Sequence, residues 1–439
     1  MSRHFRLAMV LGLMLSGGTA LRAQHAPADT STVGFDVDHV HVILRHNGAN
    51  DVVAANVYLL GGTQELSPRT AGIELLMLAA SEGGTGRYAK AELQEITARA
   101  GASIVITAGV DWTTFGLRTL RQEFDSSWAV FADRLVEPRL DSTDVERTRR
   151  QMLTDALQRE ADPDAMVSRL ADSLLYAGHP YCLDPSGTPS SLRGLTYREV
   201  RQFHDSTVVQ TRLLVVVVGN LSRNRLTAAI RRTLARLPAG SYAWRPPPPL
   251  TPATPGVAAL QETLPTNYIL GYYPGPRAGT PDYTALRVAT AVLSGRLFAD
   301  VRTRQHLAYA VEAPFLDRAM SAGGLYVTTT APESALRAMA VQVRRLQTTE
   351  VDPAGLRALV TSFITDYYLK NETNADQASV LARAQLYQGD YANADRFIVR
   401  LEQVTPDDVQ HAAQEYMRDF RFGYVGDTTK IPAGLRAPF

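Results

Sequence analysis

The chain has 439 residues, 45% hydrophobic and 20% charged, with 45 basic and 44 acidic side chains. That length allows two or three domains with real cores, and a formal charge of +1 gives no electrostatic case for nucleic acid or an anionic membrane as a partner. The single cysteine, Cys182, excludes an internal disulfide and any cysteine-based metal cluster.

Residues 1–23 read as a secretory signal peptide. Arg3 and Arg6 precede an apolar run from Leu7 to Leu15, and small residues follow. Cleavage after Ala23, with Ala20 as the alternative, removes Arg3, Arg6 and Arg22, leaving 42 basic against 44 acidic residues, or −2. The leader predicts export, in a bacterial host to the periplasm. No cysteine near the cleavage region offers a lipid anchor, and no later apolar run approaches the roughly eighteen residues of a membrane span. An uncleaved leader acting as a tether is the other reading.

After a polar stretch from Gln24 to Val33, His39 to Leu44 alternates and Asn47-Gly48 marks a turn; Val52 to Leu60 is a second strand, which predicts an opening hairpin. Ser67-Pro68 suits a helix start, and Ala71 to Ala80 is apolar on nearly every side, so that helix is buried. Ala102–Thr107 and Trp112–Leu117 read as strands, Glu123–Leu135 and Asp144–Arg159 as helices. Leu213 to Val218, LLVVVV, is a central strand ending at Gly219.

Four successive prolines, Pro246 to Pro249, with Pro252 and Pro255, make residues 241–256 a stiff extended linker. Beyond it the pattern returns. Asn267–Tyr273 and Gly324–Thr330 are strands, and Tyr283–Val301, Glu333–Leu346 and Asp352–Tyr368 are helices. VTPDDVQHAAQEYM followed by FGYVGD repeats the plan of LTYREVRQFHD followed by LLVVVVGN: a Thr-started helix, then a strand ending Val-Gly-Asn or Val-Gly-Asp. Two homologous domains, 34–240 and 257–439, follow from this. Helices arriving in runs favour an α+β class, each domain a mixed, largely antiparallel sheet with helices on one face, over a doubly wound fold.

In SGRLFADVRTRQHLAY (Ser294 to Tyr309), Arg302 and Tyr309 lie seven residues apart, about two helical turns, so a continuing helix would put both on one face. A guanidinium fork and a phenol together can hold a peptide carbonyl or a developing oxyanion. The plainer alternative is an arginine complementing a helix C-terminus beside a packed tyrosine. Elsewhere the chemistry is sparse. No two of the nine histidines are spaced i, i+3 or i, i+4; His39 and His41 form an H-x-H near His46, read as surface residues, and His179 is read as packed. His306 sits between Arg302 and Tyr309 with no assigned role. Cys182 has no placed base, and no G-x-S-x-G, dinucleotide or phosphate-loop fingerprint is present.

The RLF-x-x-V-R-x-x-x-x-L-A-Y string resembles a signature in the C-terminal half of insulinase-like (pitrilysin-type, inverzincin) metallopeptidases. The likeness extends over the mature chain: GGTQELSPRTAGIELLMLAASEGGT keeps the frame of Gly62, Glu65, Gly72, Gly84 and Thr85, and Leu93, Gly101, Asp111 and Phe115 continue it. Active members carry H-x-x-E-H here, and the two histidine positions fall on Leu75 and Ala79, the glutamate on Leu78. Leucine and alanine have no lone pair for zinc. Glu74 and Glu82 are out of register, and Glu146, in the helix where a distal ligand is expected, cannot hold a metal alone. The family's Asn-Ala pair is replaced by Val105 and Ile106.

The resemblance therefore implies a clam-shell arrangement and a non-catalytic subunit: no catalytic residue, metal ligand or cofactor in this chain, with zinc in a homologous partner and Arg302 and Tyr309 contacting peptide substrate. The alternative is a structural or peptide-binding scaffold of the same fold with no role in hydrolysis.

Overall fold

The computed structural model describes residues 31–251 and 254–436, so the leader and most of Gln24–Val33 lie outside the described residues. The chain is α+β, built on two six-stranded mixed sheets with helices, as the helix runs predict. The first sheet contains β1 (Thr32–Val37), β2 (Val40–His46), β3 (Val52–Leu60), β4 (Ser103–Ala108), β5 (Trp112–Leu120) and β6 (Leu213–Gly219), in the order β1-β2-β6-β3-β5-β4. The second contains β7 (Gly256–Gln261), β8 (Asn267–Arg277), β9 (Ala310–Glu312), β10 (Phe315–Leu316), β11 (Met320–Thr329) and β12 (Arg421–Gly426), in the order β10-β11-β8-β12-β7, with β9 also on β11.

The duplication is real in three dimensions. β6 runs parallel to β2 and antiparallel to β3, and β12 runs parallel to β7 and antiparallel to β8. The helices before them, Tyr197–Thr207 and Pro406–Tyr416, both start in a capping box, at Thr196 and Thr405. The opening hairpin is different from the one predicted. β2 pairs with β1, while β6 separates β2 from β3. Asn47-Gly48 leads to a strand two places away, because the most apolar strand takes the most buried position.

Each sheet carries its own helices on one face. Leu213, Val215 and Val217 pack into that core, with residues of helices Ile73–Ala80, Phe124–Val136 and Ser142–Glu160. The opposite faces are covered by exchange. Leu214, Val216 and Val218 meet Ala378, Leu381 and Ala382 of helix Asn374–Gln388, which belongs to the second half. Reciprocally, Val167, Ala171 and Leu175 of helix Pro163–Leu175 pack on Leu270, Tyr272 and Val425 of the second sheet. LLVVVV is apolar at every position because both its faces are buried. Gly423 lets the exchanged helix sit on the strand, since a Cβ there would lie 2.5 Å from the Val167 carbonyl oxygen.

At the joint, Asp111 is 3% exposed and serves both halves. It accepts from the hydroxyls of Tyr181 and, at 2.7 Å, Tyr387, and from the Ala319 amide at 3.2 Å. Among the described residues no helix is long and apolar enough to cross a membrane.

Candidate functional site

Helix Ile73–Ala80 starts at Gly72, whose φ of +87° and close approach to Gly187 both disfavour a side chain. It ends with the Leu78 carbonyl accepting from Ser81 Oγ at 2.6 Å and Arg134 Nη2 at 3.3 Å. Burial lowers the Arg134 pKa to about 10, against a smaller opposing pull from Glu82. Four residues apart on this helix, Leu75 and Ala79 share its half-open stripe, whereas Leu78 is 1% exposed. Val145, Met152 and Ala156 of the neighbouring helix Ser142–Glu160 join the same core cluster, with Leu75 and Leu153 packed against it. A zinc ion does not fit this hydrocarbon surface, which offers neither nitrogen nor oxygen donors from the side chains that would have to hold it.

The nearby acids are committed elsewhere. Glu74 turns inward to Arg212, Oε2 to Nη2 at 2.7 Å, with both side chains almost fully buried. The pair is close but not aligned as a hydrogen bond, and Arg212 also donates to the Leu60 carbonyl at 2.8 Å. Glu146 bonds Arg149 at 2.7 and 2.9 Å, and that hydrogen bond chiefly holds its carboxyl below the ordinary range. Glu82 is exposed. His39 lies in the β1–β2 turn, and His41 bonds Asp36 at 2.7 Å. His179 is packed, its ring bonded to the Pro248 carbonyl and the Tyr181 amide; burial lowers its pKa against the Pro248 bond. Among the described residues no group of three or more His, Cys, Asp or Glu side chains is arranged to hold a metal.

The second sheet presents the other predicted pair. Helix Pro281–Leu297 widens into a π turn over Phe298–Arg304 and stops at Gln305, and His306 takes a left-handed φ of 53°. The helix therefore does not persist to Tyr309, as the two-turn spacing supposed. The reversal nevertheless returns Tyr309 to Arg302, whose guanidinium carbon sits 5.8 Å from the Tyr309 ring centroid and 4.9 Å from that of Phe298. Tyr309 is 84% exposed.

The turn beneath is fixed by Asp300, a buried carboxylate accepting from Arg304, Gln305 and Gln342. Burial pushes the Asp300 carboxyl up, but these hydrogen bonds outweigh it and hold the pKa below its ordinary value. Thr329 Oγ1 bonds the Leu307 carbonyl at 2.6 Å, and the Ala310 amide bonds Thr328 Oγ1 at 3.1 Å. Tyr309 thus stands on a rigid mount, with His306, Tyr268 and Tyr326 lining the cleft beside it. Sequence reasoning missed Phe298 and Asp300. The F-x-x-x-R spacing was the available signal for Phe298, while Asp300 carried none until Gln342 arrived from a distant helix.

Two homologous sheets, an apolar helix in the position of a metal motif and an exposed Arg-Tyr stack define a peptidase-like shell. The description "Insulinase (Peptidase family M16)" matches residues 41–183, and "Peptidase M16 inactive domain" matches 194–363. The chain belongs to this insulinase-like family. It is 26% identical over 431 residues to an uncharacterized zinc protease of Mycobacterium leprae, covering 95% of this chain and 91% of that one. A peptidase M16 inactive domain from Pseudomonas fluorescens shares the fold with a TM-score of 0.83 at 18% identity, over 90% of this chain and 98% of that one. The periplasmic protease PqqL of Escherichia coli superposes with a TM-score of 0.75 at 14% identity, over 97% of this chain but 49% of that one.

Proposed function

We propose that this chain is a non-catalytic subunit of an exported, insulinase-like peptidase, working in a bacterial periplasm beside a homologous zinc-bearing partner that supplies the hydrolytic centre. The observation that carries the reading is a contrast within one molecule. Leu75, Leu78 and Ala79 cannot ligate zinc, whereas Arg302 and Tyr309 stand outward as a preformed stack, and among the described residues neither side chain makes an ion pair or a hydrogen bond. A guanidinium and phenol fixed in advance suit the carbonyl of a bound peptide or the oxyanion it becomes, because little side-chain entropy remains to be lost. The match to only 49% of the PqqL chain is consistent with a larger assembly than one such unit. The outer edge of β4 has no partner strand among the described residues, so an extended peptide has backbone groups to pair with there.

The test is reconstitution with the zinc-bearing homologue and a quenched peptide substrate. Arg302→Ala with Tyr309→Phe is expected to lower kcat by about 100- to 10,000-fold, the range for losing oxyanion donors, while thermal stability stays unchanged because both side chains are exposed. A double variant with full activity refutes the assignment. The second reading, a scaffold without hydrolysis, draws on a 19% identity over 213 residues to human cytochrome b-c1 complex subunit 1. It predicts peptide binding by the isolated chain that is indifferent to any zinc-bearing partner.

A further inference from the structure

Away from the Arg-Tyr stack, the second half holds a half-open cleft of about 340 Å³ between helices Pro281–Leu297, Pro353–Lys370 and Asn374–Gln388. Its inner charges do not balance. Asp317 is the one inner carboxylate, and it is shared: Arg383 Nη1 approaches Oδ2 at 2.9 Å and Arg287 Nη1 at 3.5 Å, while the Tyr283 hydroxyl donates to Oδ1. Arg400 adds a third guanidinium. It bonds only neutral acceptors, Gln388 Oε1 at 2.8 Å and the Asn393 carbonyl at 2.9 Å, and its buried Nε has no partner among the described residues. Asp366, Asp376 and Lys370 lie at the exposed rim. Rings complete the wall: Arg287 sits 5.4 Å from the Phe363 centroid and 5.1 Å from that of Phe397.

A purely architectural role explains part of this. Arg400 ties down the Tyr391–Ala394 turn, and Arg287 gains from the two rings. It does not explain why a half-enclosed space is left where Arg287 and Arg383 share one carboxylate and a third guanidinium, Arg400, has none, an arrangement that leaves the partly screened wall short of a counter-ion. We propose that this cleft is a binding site for a small organic anion, one acidic group on a ring-sized apolar body, the acid lying against Arg400 and Arg383 and the body between Phe363, Phe397 and Val380. Tyr387 lines the cleft and also donates to Asp111, so the site borders the joint between the halves.

The experiment measures thermal unfolding and calorimetric binding of the full chain with 4-phenylbutyrate as the probe. Its neutral amide and inorganic phosphate are the comparison arms. The expected result is one saturable site for phenylbutyrate with a rise in unfolding temperature, at least tenfold weaker binding of the amide, and no stabilisation by phosphate alone. Arg400→Gln, which retains hydrogen-bonding capacity without charge, and Val380→Trp, which fills the space, should each weaken phenylbutyrate binding at least tenfold. Arg302→Ala, outside the cleft, should leave it unchanged. Equal binding of the amide, undiminished binding by a folded Arg400→Gln chain, or no saturable binding to the wild type overturns the proposal. None of these outcomes depends on whether the Arg-Tyr stack serves a peptidase.

Discussion

Asp111→Ala tests whether the two halves behave as one structural unit. The carboxylate accepts the Tyr181 and Tyr387 hydroxyls and the Ala319 amide, and it is 3% exposed. Removing it leaves three buried donors with no acceptor. Hydrogen bonds to a charged group are worth roughly 1.5–3 kcal/mol each, and water entering the vacated space restores part of the loss, so the net cost should be roughly 3–5 kcal/mol. Burial, then Asp111, raise the Tyr387 pKa well above the phenol range, so its hydroxyl remains a donor throughout. Urea unfolding followed by circular dichroism and tryptophan fluorescence is the assay. Trp112 lies 5.2 Å from the Tyr387 ring and reports on the joint directly. The two probes should coincide in the wild type. A double-mutant cycle of Asp111→Asn with Tyr387→Phe should return a coupling of about 1–2 kcal/mol. A loss below about 1 kcal/mol for Asp111→Ala would refute the view that this carboxylate secures the joint.

Arg212→Met should destabilise the chain by roughly 3–5 kcal/mol, because Glu74 is left buried without its cation. Adding Glu74→Gln should recover most of that in the same urea titration, and failure to recover would mean the pair is not the cause. Installing Leu75→His, Leu78→Glu and Ala79→His together should not create a stoichiometric zinc site, since the carboxylate of the adjacent helix, Glu146, is held by Arg149 and its neighbours Val145, Met152 and Leu153 provide no ligand; retained zinc after dialysis, measured by elemental analysis, would contradict this. Burial pushes the Asp172 carboxyl up to about 6 from its ordinary 3.8, against the pull of Arg318 and with a small push from Asp184. Its ionised form is therefore the penalised one: the cost is fully present above pH 6 and is relieved as pH falls from 6 towards 3.8. Relative to Asp172→Asn, the wild type should gain about 1 kcal/mol of stability between pH 7.5 and pH 5, and a pH-independent difference measured by chemical denaturation would exclude Asp172 as the titrating group.

The α+β class, the long helices and the duplicated Thr-capped helix followed by a Val-Gly strand were legible in the sequence, because capping and hydrophobic period are local properties. The apolar residues at 75, 78 and 79 were legible too, since the absence of a lone pair is a matter of residue identity alone. Tertiary structure decided what local pattern does not encode. It placed β6 between β2 and β3, and it covered the second face of each sheet with a helix from the other half. It also gathered Asp111, Tyr181 and Tyr387 from three distant segments. Arg302 and Tyr309 show the division most clearly. Their seven-residue spacing suggested one helical face, but they meet because a π turn and a left-handed His306 fold the chain back, on a mount held by Asp300 and Gln342. Such contacts join residues far apart in the chain, and their energy depends on which surfaces remain to be buried once the local elements have formed.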